Sequence, residues 1–71
     1  MYNRIMNIAE KAFDQLLTSE GIKDDGTLKK SFLQVAYDNI DINHESKMSD
    51  EDLFNTYYDW FKDGLEMEGR F

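Results

Sequence analysis

The sequence predicts an all-α fold, a small three-helix bundle, and three observations carry the prediction. Apolar residues recur at helical rather than alternating spacing in three separate segments. Proline is absent, and the glycines fall near places where helices should stop. Apolar residues make up 41% of the 71, enough for one small folded domain over 1–71 with a modest core. Without a cysteine, neither a disulfide nor a thiolate metal site can staple so small a fold.

The first helix is expected over about residues 3–18. There Ile5, Ala9, Ala12 and Leu16 follow i, i+4, i+7, i+11 spacing, with Ile8, Phe13 and Leu17 alongside and Asn7, Lys11 and Asp14 opposite. Gly21 is placed to end it in the left-handed conformation. The second helix, over about 27–39, follows the turn-like KDDGT, where Asp24, Asp25 or Thr27 can cap. Its apolar positions are Leu28, Phe32, Leu33, Val35, Ala36 and Ile40. Lys29 and Lys30 lie in its first turn, the unfavourable end of the helix dipole, and read as a solvated face balancing Asp24 and Asp25. The polar DINHESK then reads as a loop.

The third helix is expected over about 50–64. Ser49 is its N-cap, Asp52 stands at N3 in a shortened capping box, and Met48 can staple onto Leu53. Asp50 and Glu51 favour the positive end of the dipole, so these three acids need no ligand to explain them. Gly64 is read as the stop. Residues 65–71 are read as a flexible tail ending in the apolar Phe71.

Behind that cap, Phe54, Tyr57, Tyr58, Trp60 and Phe61 follow within a few positions of one another. At about 100° per residue with Leu53 at zero, Trp60 falls near 340°, Tyr57 near 40°, Phe61 near 80°, Phe54 near 100° and Tyr58 near 140°. The arc is about 160° wide, whereas a helix packing one stripe on a core needs little over about 100°. The three helices therefore offer more apolar surface than a chain of this length hides easily. A second copy of the chain, as a closed homodimer, or a foreign protein would cover the surplus. Trp, Tyr and Phe bordered by Asp59, Asp63 and Glu66 have the anchor-and-rim composition of a protein contact.

No enzymatic chemistry is expected. His44 is the sole histidine, no Ser or Thr stands with it and an acid at a recognisable spacing, and DDGTLKK lacks the pattern of a phosphate loop. The carboxylates lie in caps or on polar faces where water keeps them ordinary. No cofactor is implied. One stretch, DINHESKMSDED, resembles a degenerate EF-hand calcium loop: Asp41 at its first position, Asn43 at the third, Glu45 at the fifth and Asp52 at the twelfth. Ser46 stands where that family has the glycine of the sharp turn, and Asp52 is shorter than the closing glutamate. The resemblance, as the alternative reading, implies calcium held by those four residues.

Charge narrows the partner. Residues 1–37 carry five acids and five bases, while residues 38–71 carry ten acids and three bases, so the net −7 belongs to the second half. Such a field repels nucleic acid and anionic membranes and attracts basic protein surfaces. MYNRIMNIAEKAF has no apolar run of signal-peptide length, so a cytoplasmic location is expected. The expected function is a small acidic protein-binding module, an accessory regulator or inhibitor. By analogy of class it sits beside the phage-type inhibitors that imitate nucleic acid.

Overall fold

The computed structural model describes residues 2–24 and 26–69. Among them the chain forms four helices and no strand: α1 (Tyr2–Glu20), α2 (Thr27–Asp38), the single turn α3 (Ile42–Glu45) and α4 (Asp50–Met67). The all-α class and the three long helices are those expected. α3 and the length of α4 are not.

The stripe on α1 is the one its spacing indicates, because Ile5, Ala9, Ala12, Phe13 and Leu16 are all wholly buried. α4 answers with Leu53, Tyr57, Phe61 and Leu65, four residues at an i+4 stride that places them along one face. α1 packs more extensively on α4 than on α2. Phe13 meets Phe61 edge to face at a ring separation of 5.1 Å, and Phe32 of α2 leans on Phe13 at 5.4 Å.

The helix ends follow from identifiable residues. Beyond α1, Gly21 adopts φ +65°, its N–H donates to the Thr18 carbonyl, and the Ile22 N–H reaches back to the Leu17 carbonyl at 3.0 Å. This is the Schellman arrangement, with Ile22 and Leu17 both packed against the core. α2 starts after Gly26 at φ +100°, and the Asp24 carboxylate supplies the cap by accepting from the Leu28 and Lys29 N–H groups, each at 3.0 Å. Asp25 lies outside the described residues. At α4 the Ser49 hydroxyl accepts from the Asp52 N–H at 3.1 Å, and Met48 is half-buried against the core that contains Leu53.

Two expectations need correction. Gly64 does not end α4: the helix runs to Met67, Leu65 is wholly buried, and the left-handed residue that closes the helix is Gly69 at φ +73°. Gly64 serves a close approach instead, since a Cβ there would lie 2.9 Å from Cε2 of Phe32. The tail expected over 65–71 is therefore helical through Met67, while Phe71 lies outside the described residues. The polar loop also contains α3, because Asp41 caps it and the Glu45 carboxylate accepts from the Asp41 N–H at 2.7 Å.

Lys29 behaves differently from expectation as well. It turns to α1, where its ammonium lies 3.0 Å from Glu10 and 2.9 Å from Asp14. The bond to Asp14, and then that to Glu10, raises its pKa above the ordinary lysine value. It thus ties α2 to α1 and pairs with Glu10 and Asp14 where Asp24 and Asp25 were expected.

Candidate functional site

The aromatic set divides between core and surface. Of the residues the sequence reading assigned to a contact surface, Phe61 is wholly buried and Tyr57 is only 7% exposed; both lie on the i+4 stride that faces α1. Phe54 and Tyr58 are half-buried on the outer flank, their rings stacked at 6.1 Å. Trp60 alone of the five is exposed, at 43%. It is turned toward α2 and braced by Phe61 and Tyr57 at ring separations of 5.3 and 6.3 Å.

Tyr57 has a polar task inside the bundle. Its hydroxyl donates to the Glu45 carboxylate, whose other oxygen caps α3. Burial first, then the bond and the charge of Glu45, push the phenol well above its usual range. The bond from Tyr57 fastens α3 to α4. Arg4 of α1 closes the same end: its guanidinium donates to Asp50 at 2.7 and 2.9 Å and to the Met48 carbonyl at 2.7 Å.

Trp60 lies where two open grooves meet in the cleft between α2 and α4. One, of about 450 Å³, is lined by Phe32, Val35, Gly64 and Met67 with Asp63 and Glu68 at its border. The other, of about 410 Å³, is lined by Ala36, Met48, Thr56 and Tyr57 with Glu45 and His44. Val35 is 47% exposed and Met67 89%, so this cleft displays large apolar groups of both helices to solvent. Asp59, Asp63 and Glu66 are exposed, as is Asp52. By helical phase Asp52, Asp59, Asp63 and Glu66 fall within about 60° of one another, on the solvent side of Trp60 and Met67. Sequence reasoning assigned Val35 to the core and Met67 to a tail, so it missed both as groove walls; the neighbouring phases of Trp60 and Met67 on α4 were the available signal.

Two of the four residues of the calcium-loop resemblance have their carboxylates engaged. Asp41 caps α3 by accepting from the His44 N–H, Asn43 lies within that turn, Glu45 is engaged as described, and Asp52 sits in the first turn of α4. Among the described residues no three of His, Asp or Glu are gathered to hold a metal ion. No helix among them is long and apolar enough to cross a membrane.

No protein-family model matches this chain, and no curated protein or solved structure matches it.

Proposed function

We propose that this protein is a small acidic binding module, an accessory regulator or inhibitor that acts by contact with another protein through the α2–α4 cleft. The observation that supports this reading is Trp60, exposed between two open apolar grooves on a molecule whose other large aromatic residues of α4 are buried or half-buried. Tryptophan is the side chain most enriched among residues that dominate binding energy, and an acidic border gives specificity and steering toward a basic partner. Trp60, Val35 and Met67 are the anchor groups and Asp59, Asp63 and Glu66 the rim.

The test starts with a photo-crosslinking amino acid at position 67 in the native cells, followed by reconstitution of the captured protein from purified components. Trp60→Ala should weaken that complex at least about tenfold while the far-UV spectrum stays helical, and Lys11→Ala on the polar face of α1 should leave it unchanged. Equal affinity of the wild type and Trp60→Ala would refute the cleft as the contact surface. Crosslinks to a second copy alone would assign it to a homodimer.

A further inference from the structure

Resting on that reading of the cleft, we infer that its occupant is a basic amphipathic helix of the partner, lying along α4 with apolar side chains on both sides of Trp60 and lysines or arginines over Asp52, Asp59, Asp63 and Glu66. The shape of the cleft carries the first half of the inference. Of the two grooves that Trp60 separates, one draws its α4 lining from Thr56, Tyr57 and Trp60, the other from Trp60 through Met67. Their centres are thus about five or six residues apart on α4, about 8 Å at 1.5 Å per residue. On a second helix the side chains i, i+4 and i+7 share a face and bracket that distance, so one helix fills both grooves from one side.

Charge carries the second half. Residues 50–67 hold six acids and a single base, Lys62. Among the described residues, the walls of the two grooves include Asp63, Glu68 and Glu45 and no lysine or arginine. The lysine of α2 nearest the bundle, Lys29, is committed to Glu10 and Asp14. The carboxylates at 52, 59, 63 and 66 extend over about 21 Å of helix, parallel to the cleft. A second copy of this chain, itself at −7, would bring like charge to that row, whereas a helix with a basic side neutralises it.

The experiment uses an end-blocked, tryptophan-free peptide of eighteen residues built from leucine and lysine, with the leucines on one helical face. Two controls accompany it: the same peptide with glutamate for lysine, and a scrambled leucine–lysine peptide of identical composition. Trp60, the sole tryptophan of the protein, reports burial by its emission, and backbone amide shifts map the contact. The patterned basic peptide should bind saturably, shift the emission to the blue and move amides of α2 and α4, with affinity falling about tenfold in the Asp59→Asn, Asp63→Asn double variant. Equal binding of the scrambled or the glutamate peptide, or amide shifts confined to α1, would overturn the inference. Failure of the basic peptide while the reconstituted partner still depends on Trp60 would refute the helical occupant and spare the cleft. A partner indifferent to Trp60 would remove the cleft itself.

Discussion

Replacing Tyr57 with phenylalanine isolates the one hydrogen bond that couples α3 to α4 through a buried side chain. The ring stays in its site between Trp60 and Phe61, so packing is preserved and only the hydroxyl donated to Glu45 is lost. Hydrogen bonds to a charged group contribute about 1.5–3 kcal/mol, and Glu45 is half-buried at the edge of a groove, which places the loss near the lower figure, about 1.5 kcal/mol. With a urea m-value of about 1 kcal/mol/M for a small domain, the midpoint at pH 7 should fall by about 1.5 M.

Alkali supplies a second reading of the same bond. The phenol is held protonated in the folded state above its ordinary value of 10.0, so its stabilising effect is complete below that pH and is lost as pH rises beyond it. Near pH 11 the unfolded chain has released the proton and the folded one has not, which costs the wild type about 1.4 kcal/mol. The Tyr57→Phe variant has no such proton, and the contribution of Lys29 is common to both proteins, so their midpoints should converge near pH 11. A midpoint at pH 7 that moves by less than about 0.3 M, or a gap that stays constant into alkali, would refute the bond as described.

Three further outcomes follow from other contacts. Phe61→Ala should cost about 3–5 kcal/mol in urea melts, a large share of the stability of a domain this size, whereas Phe54→Ala at the half-buried flank should cost well under that. Ser49→Ala removes the acceptor for the Asp52 N–H and should lower stability by about 1 kcal/mol, read from the same melts. Arg4→Met should cost about 1 kcal/mol at low salt, with part of the difference vanishing at 1 M NaCl as the exposed pair with Asp50 is screened and the part due to the Met48 carbonyl remaining.

Much of the architecture was legible because it is written at short range. The i, i+4, i+7, i+11 run of α1 became its buried stripe residue for residue, and Ser49 and Gly21 cap as their types suggest. Gly64 was misread because a helix stop and a site of close approach leave the same letter in the sequence. Only the position of Phe32, far away along the chain, separates them. α3 was missed because its cap pairs Asp41 with Glu45, one residue beyond the usual capping-box spacing. Phase alone does not say which part of the aromatic arc on α4 meets a neighbour. Phe61 and Phe54, about 20° apart, differ between whole and partial burial: Phe13 of α1 and Phe32 of α2 pack on Phe61, whereas the ring contact of Phe54 is with Tyr58 of its own helix.

The distribution of buried residues has a dynamic consequence. Of the ten buried side chains described, α1 supplies five, α4 four and α2 only Ala36. α2 is otherwise held by half-buried groups, chiefly Phe32 against Phe13, Phe61 and Gly64, and by the ion pairs of Lys29 with α1. Local opening free energies follow how much apolar contact each element makes, so the amides of α2 should exchange with solvent well before those of α1 and α4. The pair α1 and α4 can thus persist while α2 lifts and closes again. A ligand seated between α2 and α4 would slow exchange most in α2, recording its binding as protection of the least secured helix.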